Sequence, residues 1–107
     1  METNRLHVLV SLADEGCWLA HVLDFDQATQ APTADEAVAL VPALAETLRE
    51  HLKRLGKPEA LWFRAPEEEW LRFERARKDP QPLKLTTPLP LPGGKGTVEE
   101  VTVGRIE

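Results

Sequence analysis

Cysteine occurs once in this 107-residue chain, at Cys17, and tyrosine is missing altogether. A single thiol excludes an internal disulfide framework and a zinc site built from several cysteines. Apolar runs stay short, far below the roughly 20 residues of a membrane-spanning helix, so no membrane partner is expected. The opening residues Met1-Glu2-Thr3-Asn4-Arg5 contain no apolar stretch of the secretory type, and the expected setting is cytoplasmic. Positive charge is scarce too. Lys and Arg number 13 against 18 Asp and Glu, a formal charge of −5, which argues against wholesale wrapping by phosphate backbones. Serine appears only at Ser11, inside a strand pattern with no nucleophile elbow around it. Gly93-Gly94-Lys95-Gly96 lacks the preceding strand and following helix of a phosphate loop. No cofactor is therefore expected.

What is present is enough apolar material for a core. Leu, Val, Phe and Ile make up 28 of the 107 residues, above the level at which a chain fails to offset its own entropy. Leu6, Val8, Val10 and Leu12 alternate with period two, as in a strand with one buried face. Residues 17–23 repeat the pattern with Trp18, Ala20 and Val22. Setting even positions opposite even positions requires a three-residue loop, Asp14-Glu15-Gly16, with Gly16 at positive φ. Residues 27–31 read as a short, polar third strand ended by Pro32.

Thr33-Ala34-Asp35-Glu36 is a capping box, and Ala37, Val41, Leu44, Leu48, Leu52 and Leu55 continue as a helical stripe. Pro42 falls inside it, so one bent helix is predicted over 34–55, stopped by Gly56. A second helix is predicted over 66–78. Pro66 and Glu67 to Glu69 suit its start, and Arg72, Arg75, Arg77 and Lys78 suit its end. Residues 80–96 hold five prolines and Gly93-Gly94 and read as an extended arm. A last strand is predicted over 97–106.

These elements predict an α+β fold: three antiparallel strands packed on one long helix. Residues 1–57 form the core and 58–107 an extension of the same domain. The odd face of the hairpin carries His7, Leu9, Cys17, Leu19, His21 and Leu23. Its leucines require cover. Either the second helix, with Trp62, Phe63, Trp70 and Phe73, supplies that cover, or another protein does, and an exchanged arm would combine both. Leu9, Leu19, Leu23, Trp62 and Trp70 are the candidate protein-interaction residues.

The run from Gly16 to Ala37 resembles the N-terminal domain of HicB-like proteins, the antitoxin half of HicA–HicB pairs and their relatives. The shared pattern is a turn glycine (Gly16), an aromatic (Trp18), an Asp (Asp24), Thr29-Gln30 and a Thr-x-x-Glu-Ala helix start from Thr33 to Ala37. Leu23-Asp24-Phe25-Asp26 replaces the usual Pro-Asp-Leu-Pro-Gly-Cys loop. This is similar to an uncharacterised branch that also carries a segment like Ala65 to Trp70. The clear likeness spans residues 6–56. It implies a β-β-β-α-β domain, a partial RNase H-like arrangement without catalysis. It also implies action by protein binding, with homo-oligomers and a small HicA-like toxin as partners. Residues 57–107 show no helix-turn-helix or ribbon-helix-helix pattern of the kind that full antitoxins add to bind an operator.

Chemistry offers three weaker sets. Asp24, Asp26 and Glu36 are the acidic group that a metal-dependent nuclease would need. His7, His21 and Cys17 share a face and could be imagined around a metal, although nothing fixes their spacing. Neither set displaces the expectation of no catalytic and no metal site. Arg72, Arg75, Arg77 and Lys78, with Lys84, form the one basic cluster, beside Trp70 and Phe73, and define a nucleic-acid-binding alternative. Residues 58–107 nevertheless sum to −1.

Overall fold

The computed structural model describes residues 5–80, 83–90 and 97–106. Three strands come first: β1 (Arg5–Asp14), β2 (Cys17–Val22) and β3 (Gln27–Ala31), each antiparallel to the last. The even-to-even register is present, with Val8 opposite Val22, Val10 opposite Ala20 and Leu12 opposite Trp18. The turn is tighter than the three-residue loop read from the pattern. Asp14 pairs with Cys17, and a register shift between Leu12 and Asp14 absorbs the extra residue. Gly16 has φ of 74°, the left-handed conformation that the turn demands.

The helix predicted over 34–55 is two helices, α1 (Ala34–Ala39) and α2 (Val41–Arg54), divided at Leu40. The division has a plain cause. Breaking before Val41 places Pro42 in the first turn of α2, where its missing N–H is not required. The capping box is half formed: the Thr33 hydroxyl accepts the Glu36 N–H at 3.1 Å. The apolar stripe keeps its phase across the break as far as Leu52, whereas Leu55, its predicted last member, is exposed. Ala37, Val38, Val41 and Ala45 are buried, and Leu44, Leu48 and Leu52 pack against them on Leu6, Val8, Val10, Ala20 and Val22.

After a 3-10 turn (Pro58–Leu61), α3 spans Glu67–Arg75, shorter than the predicted 66–78, because Arg77–Lys78 form a strand, β4. The largest correction lies beyond it. Residues 83–90, read from sequence as part of an arm, are a strand, β5 (Leu83–Pro90), antiparallel to β6 (Thr97–Arg105). Residues 81–82 and 91–96 of that arm lie outside the described residues. Prolines are tolerated in β5 because it lies at the sheet edge, where one side of the strand needs no ladder donors.

The three-stranded sheet of the sequence reading is thus a six-stranded mixed sheet. β6 lies parallel to β1, with Leu6 opposite Val101 and Val8 opposite Val103, and the order is β3-β2-β1-β6-β4 with β5 also on β6. The fold is α+β, with α1 and α2 on the even face and α3 on the odd face. Two apolar clusters result. The larger lies under α1 and α2 and takes in Phe25, Leu61, Leu85 and Leu89. The smaller, Leu9, Leu23, Ala65 and Phe73, lies under α3 with Trp70, Ala76 and Ile106 against it. Gly104 makes that second layer fit. It sits opposite Leu9, and a Cβ there would lie 3.1 Å from the Phe73 ring.

No described helix is long and apolar enough to cross a membrane.

Candidate functional site

The odd face gathers the groups with chemical potential. Period-two alternation aims His7 and His21 to that side, and the β2–β3 turn brings two carboxylates back to meet them. Asp24 grips residue 7 twice. One carboxylate oxygen accepts the His7 backbone N–H at 2.6 Å, and the other lies 3.0 Å from Nδ1 of the ring. Asp26 reaches His21 Nε2 at 2.7 Å, from a left-handed backbone with φ of 51° that Asp tolerates better than most residues. The other ring nitrogen of His21 faces Glu69 of α3 at 3.8 Å, and Glu69 pairs with Arg72 at 3.0 Å. A run of alternating groups, Asp26, His21, Glu69 and Arg72, therefore ties the β2–β3 turn to α3.

Aromatic contacts complete the seal. The His7 ring lies 5.1 Å from that of Trp70 and meets Phe73 edge-on at 5.5 Å. The Arg64 guanidinium stacks 4.0 Å from the Trp70 ring centre. The Trp70 indole N–H is enclosed there without a hydrogen-bond acceptor.

This arrangement fastens the β2–β3 turn and β1 to α3. The proposed acidic set does not converge. Asp24 and Asp26 are held by histidines on the odd face, whereas Glu36 belongs to α1 on the even face. His7, His21 and Cys17 do not assemble either: each histidine has its own aspartate, and the Cys17 thiol donates to Gln30 at 3.6 Å. Among the described residues no group of three or more His, Cys, Asp or Glu is placed to hold a metal ion.

The other candidates fall as follows. Leu9 and Leu23 are buried in the cluster under α3, whereas Leu19 is half-buried and lies outside that cluster. Of the four aromatics offered as cover, Trp70 and Phe73 supply it. Trp62 turns to the other core, 6.5 Å from Phe25, and Phe63 is exposed. In the basic cluster, Arg72 pairs with Glu69, and Lys78 closes the end of α3. Its ammonium donates to the carbonyls of Phe73, Glu74 and Ala76 and lies 4.4 Å from the Phe73 ring. Arg75 and Arg77 are exposed near the same helix end.

Two features escaped the sequence reading. Arg105 joins distant segments: its guanidinium donates to Asp35 of α1 at 2.8 Å and to both oxygens of Asp79 at 3.1 Å. The Asp35 hydrogen bond, then burial acting the other way, then Asp79, leave Arg105 held protonated above the ordinary arginine range. These residues border a shallow depression of about 330 Å³ with Val38, Ala39, Leu83 and Val103. The second feature is β3. It pairs with β2 on one side, and no described strand pairs with its other edge.

Comparisons with protein-family models, curated proteins and solved structures each find no match.

Proposed function

We propose that this chain is a non-catalytic HicB-like interaction domain that acts by binding protein, and that the outer edge of β3 is where it binds. The open edge of β3 carries the reading. Backbone donors and acceptors left free along a strand form a template to which another polypeptide adds as a further strand. The strand-strand-strand-helix order over residues 5–54 supports the HicB-like part. The partner class that this resemblance implies is a small HicA-like toxin. Leu9 and Leu23 have no place in the binding, because α3 already covers them.

A titration of the isotope-labelled full chain, followed by amide chemical shifts, tests the reading. Purified HicA-like toxin is expected to move the signals of residues 27–31. A duplicate titration with short RNA at low salt tests the nucleic-acid alternative. Salt-sensitive shifts centred on Arg72 to Lys78, weakened by Arg75→Glu and without any response in β3, overturn the proposal in favour of that alternative. Cleavage of the RNA in magnesium or manganese, lost in Asp24→Asn, overturns it in favour of a nuclease.

A further inference from the structure

The first turn of α1 holds two acids with different fates. Asp35 is engaged inside the chain, where it accepts the Arg105 guanidinium at 2.8 Å. Glu36 is exposed, and among the described residues no cation pairs with its carboxylate. Helical spacing explains the difference. Asp35, Val38 and Ala39 border the depression with Val103 and Arg105, so they mark the flank of α1 that leans toward β6. The Ala37 carbonyl accepts the Thr29 hydroxyl, so Ala37 marks the flank that leans toward β3. At about 3.6 residues per turn, Leu40 follows Ala37 on the β3 flank, and Glu36 lies one turn before Leu40. A first-turn glutamate has a helical reason for its place, because it complements the positive end. Leu40 has no such reason. It is 44% exposed and stands at the N-cap of α2, where a polar side chain is preferred, without making a capping bond. An exposed apolar residue and an exposed acid therefore lie on the side of α1 toward β3, whose outer edge no described strand pairs.

We infer that the strand added to β3 is basic and amphipathic, carrying Lys or Arg to meet Glu36 and an apolar residue to meet Leu40 on the face that looks toward α1. The inference rests on the β3-edge reading and names the chemistry of the partner strand. A strand laid beside β3 turns alternate residues to each face of the sheet. On the face under α1, β3 itself presents Gln27, Thr29 and Ala31, the neighbours of Val22, Ala20 and Trp18. None of these three carries a charge or a large apolar group, so selection among strands falls to the α1 residues above them. On the other face Ala28 and Gln30 are exposed and neutral and impose no sign of charge. Glu36 therefore sets the sign at this edge. It attracts a cationic strand and repels an anionic one, in a chain whose net charge of −5 acts in the same direction. Leu40 adds the second requirement, since covering an exposed leucine rewards an apolar side chain beside the basic one.

The test uses two peptides alike except in charge, Thr-Lys-Thr-Val-Thr-Lys-Thr and Thr-Glu-Thr-Val-Thr-Glu-Thr. The symmetry of the pattern lets either chain direction meet Glu36 and Leu40. The isotope-labelled full chain is titrated with each, and amide shifts give both the site and the dissociation constant. The lysine peptide is expected to move the signals of residues 27–31, Glu36 and Leu40, and to bind at least about tenfold more tightly than the glutamate peptide. Glu36→Lys should reverse that preference, and the uncharged Glu36→Gln should remove most of it. Leu40→Ser should weaken the lysine peptide but not a counterpart with Thr in place of its Val. Circular dichroism verifies that each variant remains folded. Equal binding of the two charged peptides overturns the inference. So does failure of both to move β3, a preference that survives Glu36→Lys and Glu36→Gln, or an equal effect of Leu40→Ser on the Val and Thr peptides. Toxin-induced shifts in β3 that are unchanged in Glu36→Lys and Leu40→Ser retain the β3-edge reading and overturn this inference alone. Selective binding of the lysine peptide without any response to toxin upholds the strand chemistry and eliminates the toxin as partner. Silence of β3 toward toxin and peptides removes both readings.

Discussion

Phe73 and Phe63 are the same residue ten positions apart, and the structure assigns them opposite energetic weight. Phe73 is 7% exposed and Phe63 67%. The Phe73 ring rests against Gly104 and closes over Leu9, Leu23 and Ala65, with the His7 ring at its edge and the Lys78 ammonium 4.4 Å from its centre. Truncating a buried Phe to Ala costs about 3–5 kcal/mol. The cluster under α3 is small and peripheral and relaxes more than a deep core, so the lower end applies, about 3 kcal/mol. In a domain whose total stability is about 5–15 kcal/mol, that is a large fraction. The melting midpoint should fall by about 12 °C or more. Phe63→Ala should change stability by less than about 0.5 kcal/mol. Denaturant titration followed by tryptophan fluorescence measures both, with Trp70 contributing the signal from α3 and Trp18 and Trp62 that from the larger cluster. Phe73→Ala should in addition bind an apolar dye, because Leu9 and Leu23 lose their cover. Equal stability of the two variants, or no dye binding by Phe73→Ala, would refute the account of α3 as the lid of the odd face.

Three further outcomes follow from particular contacts. Gly104→Ala places a Cβ 3.1 Å from the Phe73 ring and the Ala76 Cβ, and should cost about 1–3 kcal/mol, partly relieved when combined with Phe73→Leu in a thermal melt. Thr33→Ala removes the hydroxyl that accepts the Glu36 N–H and should destabilise the chain by about 1 kcal/mol in the same melt. Arg105→Met should lower stability by about 1 kcal/mol through loss of the Asp35 and Asp79 contacts. Because the folded state raises the Arg105 pKa above the ordinary arginine value, its contribution is complete below that value and is lost only as pH rises through the folded-state value. The effect of Arg105→Met should therefore be the same at pH 6 and pH 9 in denaturant titrations, and a difference between them would contradict the assignment.

Local chemistry was readable from the residues. The alternation of Val8 and Val10 with Ala20 and Val22 determined the hairpin register, and Gly16 marked its turn. Thr33 and Glu36 marked the start of α1, and the clustered glutamates and arginines bracketed α3. Nothing local announced the parallel pairing of β6 with β1, whose partners Leu6 and Val101 are far apart in sequence. Parallel strands share no turn that a motif could reveal. β5 was hidden by its own prolines, which signal a linker unless the strand is known to sit at an edge. Pro42 put the helix break at Leu40, two residues ahead of it, since a new first turn suits proline better than a kinked interior. Of the site, the shared face of His7 and His21 followed from period two, whereas their separate pairing with Asp24 and Asp26 depended on how the turn after β2 returns.

The placement of β6 between β1 and the β4–β5 side has a consequence for how the protein is made. The strand that flanks β1 on its inner side is the last of the described strands to be synthesised. Until residues 97–105 emerge, the nascent chain carries β1 with that side bare and with Leu6 and Val8 lacking their neighbours Val101 and Val103. Contacts spanning so much sequence slow folding and prolong that exposure. A polypeptide stalled before residue 97 would hold an unfinished sheet, with the second apolar partners of Leu6 and Val8 still missing.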